Sequence, residues 1–182
     1  MSEEALVRAA AGGDSDAFAS LAAPRLDRMY ATATLMMRDR ARAEDAVQDA
    51  LVRAWRDLPS LREPGRFDAW LRRLLVNACR DESRRGRRHE GNLTLLPEHD
   101  RPVQSRSDEL ANRDAIGQAM RSLSLDQRAV IVHHYYLGLS LPEIASTLDI
   151  PVGTAKSRLY HARLAMRAAI EPDGATSEGH VA

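Results

Sequence analysis

The residues best equipped for chemistry in this chain are Thr154, Lys156, Ser157, Arg158, His161 and Arg163, with Arg167 one turn further on. They share a helical repeat whose other side is Ala155, Leu159, Ala162 and Met166. No acidic residue lies between Ile150 and Ile170, so the polar side is cationic and supplied with hydroxyl and imidazole groups. Such a helix can neutralise phosphates and present hydrogen bonds to base edges in a major groove. The segment before it would position it. Ser140 and Glu143 have capping-box spacing with Pro142 in the first turn, Ile144, Ala145 and Leu148 form a narrow apolar face, and Asp149-Ile150-Pro151 interrupts the helix. Two helices joined by a short turn, the second basic, fit a DNA-reading helix-turn-helix. A helical hairpin with a solvated basic face would show the same pattern.

A second cationic cluster lies between Trp70 and Arg88. Seven arginines (72, 73, 80, 84, 85, 87, 88) stand against Asp81 and Glu82, a net of +5. The turn-rich LREPGRF, Leu61 to Phe67, precedes a helix expected from about Asp68 to Arg85. Phosphate neutralisation would dominate binding by this patch. Phe67 and Trp70 can pack in a core, Trp70 more so, yet an aromatic and Arg66 beside a basic helix also suit single-stranded DNA.

Arg40 to Leu58 forms an amphipathic helix with Ala43, Val47, Ala50, Leu51, Ala54 and Leu58 on one face. Asp45, Gln48, Asp49 and Arg53 cluster on another at one-turn spacing. By chemistry alone this is a solvated helix with ordinary ion pairs.

Few β-branched residues, little alternation and abundant Ala, Leu and Arg define an all-α class: two small helical domains joined by a flexible linker, the C-terminal one containing the helix-turn-helix. Residues 1–88 form the first domain, 89–106 a linker rich in Gly, Pro and scattered charge, 107–170 the second domain, and 171–182 a polar, disordered tail. In the first, helices carry Leu21 and then Leu26, Met29, Tyr30, Ala33, Leu35 and Met36 inward; in the second, Leu110, Ile116, Ala119, Met120 and Leu123 do so before a Ser124–Gln127 capping box. Cys79 is the only cysteine, set among apolar residues, which excludes an intramolecular disulfide and fits a reducing cytosol. The N-terminus has no signal-peptide pattern, and no apolar run approaches the ~20 residues of a membrane span, so direct membrane insertion is not expected. His89, His99 and the adjacent His133-His134 lack matched ligand spacing, so no metal and no cofactor are expected. Twenty-six basic and 26 acidic residues give zero formal charge, but the charge is segregated along the chain and leaves nucleic-acid binding open.

Three word-like segments carry a resemblance. They are Ala43-Glu44-Asp45-Ala46-Val47-Gln48-Asp49-Ala50-Leu51-Val52-Arg53-Ala54-Trp55, then Phe67-Asp68-Ala69-Trp70-Leu71 with Val76-Asn77-Ala78-Cys79-Arg80-Asp81, and Pro142-Glu143-Ile144-Ala145 with Ile150-Pro151-Val152-Gly153-Thr154-Ala155-Lys156-Ser157-Arg158-Leu159. In this order, over about residues 5 to 170, the chain resembles bacterial extracytoplasmic-function (ECF) RNA polymerase sigma factors. It departs at Asp149, where many members have Gly, at Ala155 for a commoner Val, and at Asp27 for an apolar or aromatic residue.

The resemblance implies an initiation factor that is not itself an enzyme. Asp45, Gln48, Asp49 and Arg53 would dock on the clamp helices of the largest polymerase subunit, and the flap is a further expected contact. Asn77 would help bind a flipped base of the downstream (−10) element or that base's neighbour, Arg66 and Phe67 would border the pocket, and Arg80, Arg84, Arg85 and Arg88 would contact the same element, the first three by holding backbone. Thr154, Lys156, Ser157, Arg158, His161 and Arg163 would read the upstream (−35) element. Promoter DNA, duplex and single-stranded, and an anti-sigma factor are the other expected partners, and the location is cytoplasmic. A helix-turn-helix regulator on duplex DNA is the alternative; it would leave the Asp45–Asp49 helix without a role.

Overall fold

The computed structural model describes residues 2–90 and 108–170, with side chains described for 2–87 and 115–170. Among the described residues the fold is all-α, without strands. The N-terminal half contains α1 (Glu3–Ala11), α2 (Ser15–Ala22), α3 (Leu26–Met37), α4 (Arg40–Asp57) and α5 (Phe67–Glu90). Asp14 caps α2 by accepting from the Asp16 and Ala17 N–H groups, and Asp39 caps α4 by accepting from Arg42 N–H. Each such cap is worth about 1 kcal/mol.

Four alanines of α4, Ala43, Ala46, Ala50 and Ala54, are fully or almost fully buried. Their small side chains let α5 approach closely, and the α4–α5 pair is the most extensive helix packing of the fold. Gly86 belongs to that contact. It is buried, and a Cβ there would run into the Arg42 guanidinium. The helix expected to end at about Arg85 instead continues to Glu90. Cys79 is fully buried in this core, and burial pushes its thiol up to about 12, an inert group.

The C-terminal half contains α6 (Asp108–Arg121), α7 (Leu125–Ile131), α8 (Leu141–Leu148) and α9 (Val152–Ile170), with α6, α7 and α8 all packed on α9. The expected Ser124–Gln127 and Ser140–Glu143 capping boxes are both formed. After α7 the chain widens into a π turn over Val132–Tyr136, closed by Leu137 N–H donating to the Val132 carbonyl at 3.0 Å. The extra residue turns His133 inward and leaves Tyr135 and Tyr136 exposed. Gly138 then takes a φ of +69°, a left-handed turn that favours glycine.

The halves meet where α3 and α5 abut α7, the π turn and α8. Arg128 of α7 donates to the Met36 carbonyl (2.6 Å) in the last turn of α3, where helix carbonyls lack intrahelical donors. Two expected core residues lie elsewhere: Leu35 and Ile116 are exposed and line an apolar groove.

Candidate functional site

The turn between α8 and α9 depends on Asp149, whose φ of 57° and ψ of 52° place it in the left-handed region that Asp tolerates. The Ile150 N–H closes the α8 terminus on the Ala145 carbonyl at 3.0 Å, and α9 then starts after Pro151. Ala155, Leu159 and Ala162 anchor α9 in the core. Lys156, Ser157 and His161 are exposed and Thr154 is half-buried. Arg158 and Arg163 fall to the two sides of this stripe. Arg158 reaches Asp126 of α7 (3.1 Å), while Arg163 lines a groove of about 520 Å³ with Ile116, Tyr135, Met166 and Ile170. Tyr160 was missing from the sequence-derived set. It is 59% exposed between Lys156 and His161, its ring edge-on to the His161 ring at 5.4 Å. Its position one turn from Lys156 was the available signal.

On α5, Asn77 is half-buried and lies one turn from Arg73 and from Arg80, with Arg84 a second turn on. Arg66 is exposed and pairs with Glu63 at 2.7 Å. Phe67 departs from expectation. Its ring is 0% exposed, with the Arg25 guanidinium 5.1 Å above it and the Trp70 ring 6.0 Å away. A ring closed in on this way has no face free for a base. Trp70, which sequence reasoning placed deeper, is the half-buried one. Arg84 pairs with Asp81, and Arg85 with Asp49 and Glu82. Arg88 lies outside the residues whose side chains are described.

The four α4 residues separate into two pairs. Asp45 and Gln48 are exposed. Asp49 and Arg53 instead join a charge network with α5: Arg53 to Asp49 at 2.7 Å and to Asp81 at 2.9 Å, Arg85 to Asp49 at 3.2 Å. Burial draws the Arg53 guanidinium down, but hydrogen bonds and charge from Asp81 and Asp49 outweigh it and hold the group above its ordinary value. Substituting Arg53→Met would leave Asp49 and Asp81 partly buried and short of a cation. The expected cost, discounted for solvent, is about 1–2 kcal/mol in urea unfolding, whereas Gln48→Ala should change stability by less than about 0.5 kcal/mol. Beside Asp45 and Gln48 the structure adds two apolar residues that sequence reasoning did not single out, Val52 (64% exposed) and Trp55, the latter edge-on to Phe18 at 5.2 Å. An exposed valine amid polar neighbours at helical spacing is the signal that was present.

His133 is enclosed where α5 meets the π turn, 0% exposed. A carbonyl can only accept, so the 2.7 Å contact with the Ala129 carbonyl puts the proton on Nδ1. Burial, reinforced by Arg72 and Arg80 against the raising effect of that hydrogen bond, pushes the imidazole down to about 4. It is neutral at physiological pH. Among the described residues no cluster of His, Cys, Asp or Glu could hold a metal ion, and no helix is long and apolar enough to cross a membrane.

The arrangement comprises two basic helices suited to nucleic acid and a separate polar-apolar stripe on α4. The Sigma-70 region 2 model matches residues 21–89, which span α4 and nearly all of α5, and the Sigma-70, region 4 model matches residues 113–166, which span α8 and most of α9. ECF RNA polymerase sigma factor SigM of Mycobacterium tuberculosis is 34% identical over 162 residues, covering 89% of this chain and 81% of that protein. ECF RNA polymerase sigma factor SigW of Bacillus subtilis is 35% identical over 174 residues, covering 85% and 89%. The sigma factor RpoE of Bartonella quintana, solved in complex with the anti-sigma factor NepR, superposes with a TM-score of 0.66 at 28% identity, covering 86% of this chain and 98% of that one. The chain belongs to the ECF RNA polymerase sigma factors. It serves transcription initiation and binds core RNA polymerase and promoter DNA.

Proposed function

We propose that the labour is divided along the chain, with residues 1–88 binding core polymerase and melting the downstream element and residues 107–170 reading the upstream one. The observation that supports this reading is the separation of three surfaces: the exposed Asp45, Gln48, Val52 and Trp55 on α4, the half-buried, arginine-flanked Asn77 on α5, and the exposed Lys156, Ser157, Tyr160 and His161 on α9. The α4 stripe combines polar and apolar groups, as a protein interface requires. A side-chain amide at Asn77 suits a base edge, and the arginines around it suit phosphates. On α9, Lys156, Ser157 and His161 contact the major groove, with Thr154, Arg158 and Arg163 at its margins. Asp49 and Arg53 contribute by holding α4 against α5, and Phe67 by supporting the loop before Asn77 from the core.

The apolar groove bordered by Leu35, Ile116 and Tyr135 is the surface assigned to the polymerase flap. The chain catalyses nothing, since nucleotidyl transfer belongs to polymerase, and it acts in the cytoplasm. An anti-sigma factor regulates it, a reading supported by the relative solved with such a partner.

Abortive transcription with purified core polymerase on a pool of promoter fragments tests the division. The paired change Asp45→Arg with Gln48→Ala should weaken polymerase binding at least tenfold without loss of stability. Asn77→Ala should leave polymerase binding intact and reduce initiation on duplex templates, with recovery on templates already opened at the downstream element. Stable duplex binding by the protein alone, with no initiation, would instead favour the simple regulator.

A further inference from the structure

A cavity of about 420 Å³ lies in the seam between the halves, within the size range of small-molecule sites. Met29 of α3, Leu71 and Leu75 of α5 and Leu137 after the π turn, all buried, give it apolar walls. Three elements add polar groups: Arg28 from α3, Arg72 from α5 and His133 from the π turn. Among the described residues, the buried side-chain polar atoms without a hydrogen-bond partner are Arg72 Nε, His133 Nε2 and Arg158 Nη1. The first two belong to this lining.

His133 is the more informative of the two. It is 0% exposed, and with its Nδ1 proton given to the Ala129 carbonyl, Nε2 is left as a bare acceptor. Such a group is unfavourable unless something inside the cavity donates to it. Arg28 and Arg72 are the opposite case, donors short of an anion. Other cations of the seam are taken: Asp126 accepts from Arg80 (3.2 Å) and Arg158 (3.1 Å), Asp149 pairs with Arg73 (3.0 Å), and Arg25 is held by Asp68 and Glu3. Among the described residues neither Arg28 nor Arg72 has a carboxylate partner, and Arg28 reaches the Leu137 carbonyl at 3.4 Å, a long contact. Three arginines and two carboxylates leave the lining with a net charge of +1.

One kind of molecule answers all of these groups. A carboxylate accepts from the guanidinium groups, a neighbouring hydroxyl donates to Nε2, and an aliphatic body covers the apolar walls. Water or an inorganic anion would serve the polar groups and leave the walls uncovered, and a simple fatty acid would lack the donor.

We propose that this cavity binds a small hydroxy acid with an aliphatic body, its carboxylate on Arg28 and Arg72 and its hydroxyl on His133 Nε2. The site goes beyond the proposed division of labour and does not depend on it, since none of these three residues belongs to the surfaces given above to polymerase or promoter DNA.

The test titrates the full chain, without DNA or polymerase, in a calorimeter with 3-hydroxyoctanoate, octanoate and methyl 3-hydroxyoctanoate. The hydroxy acid should bind about tenfold or more tightly than octanoate, which lacks the donor, and than the ester, which lacks the charge. His133→Leu should abolish the preference for the hydroxyl, and Arg72→Gln the preference for the charge. Nitrogen NMR of histidine-labelled wild type gives a second readout: the Nε2 resonance of His133 should move with 3-hydroxyoctanoate and stay in place with octanoate. This readout decides the matter if His133→Leu does not fold. An absence of binding means that the cavity holds water only and overturns the proposal. Equal affinity for the three probes overturns it as well, as apolar partition. A hydroxyl preference that survives in His133→Leu, or an unmoved Nε2 resonance, places the binding elsewhere and also overturns it.

Discussion

Replacing Phe67 by alanine is expected to lower the free energy of unfolding by about 3–5 kcal/mol, the range for removing a fully buried aromatic from a packed core. Among the described residues the side chain is one of the largest fully buried groups; it stands at the first residue of α5, with the buried Leu71 and Leu75 one and two turns on along the same face. Arg25 adds a cation over the ring while its own guanidinium is held by Asp68 and Glu3, so the substitution would also release a linked set of charges. The measurement is the urea midpoint of the full chain, with Phe67→Leu as companion, which should recover more than half of the loss. A residue that only bordered a base pocket would behave differently. Its alanine variant would retain wild-type stability and lose only promoter melting, and that result would refute the core assignment.

Stability should fall as pH is lowered from about 6.5 to about 4 because of His133. The sign follows from burial, which disfavours the charged imidazole. The unfolded chain takes up a proton near the ordinary value of 6.5, while the folded chain resists until about 4. The contribution is therefore complete above 6.5 and is lost progressively across that window. A shift of this size corresponds to about 3 kcal/mol. The groups facing His133 from α5, Arg72 and Arg80, are cations and stay charged throughout, so they do not cancel the effect. Paired carboxylates such as Asp57 and Glu143 are held below their ordinary values and add their own losses at lower pH. Comparison with His133→Leu isolates the histidine. Urea unfolding from pH 7 to pH 4 should show wild type losing about 3 kcal/mol more than the variant, and parallel curves would refute the assignment. Because His133 sits at the seam, its protonation should also loosen the contact between halves.

Local rules written in adjacent residues were legible without coordinates. Capping boxes at Ser124 and Ser140, the tolerance of Asp149 for a left-handed turn and the apolar stripe of α9 all depend on spacings of a few residues, and the structure shows each of them. The all-α class followed from the same periodicities, and the three word-like segments led to the family. What failed was the assignment of partners across the chain. Asp49 and Arg53 read as exposed because they share a helix side with Asp45 and Gln48, yet only packing against α5 brings Asp81 and Arg85 to them. The spacing predicts an end of this helix at about Arg85, since the next residue, Gly86, weakens helices in isolation, but Gly86 is buried beside the Arg42 guanidinium and α5 runs on to Glu90. Ile116 and Leu35 read as core because they are apolar, and only the arrangement of α3, α6 and α9 leaves them lining an open groove.

By itself the sequence determined the helical class, the capped helix starts, which faces are apolar or cationic, and the family, since these follow from short-range propensity and pattern. Tertiary structure decided which charged groups stay free and which are taken. The enclosure of Phe67 and His133, the network around Arg53 and the double engagement of Asp126 join residues tens of positions apart, and helix periodicity carries no information about such pairs. Their physical origin is the packing of α5 against α4 on one side and against α7 and α8 on the other, which sets the distances between charges and removes the water around them.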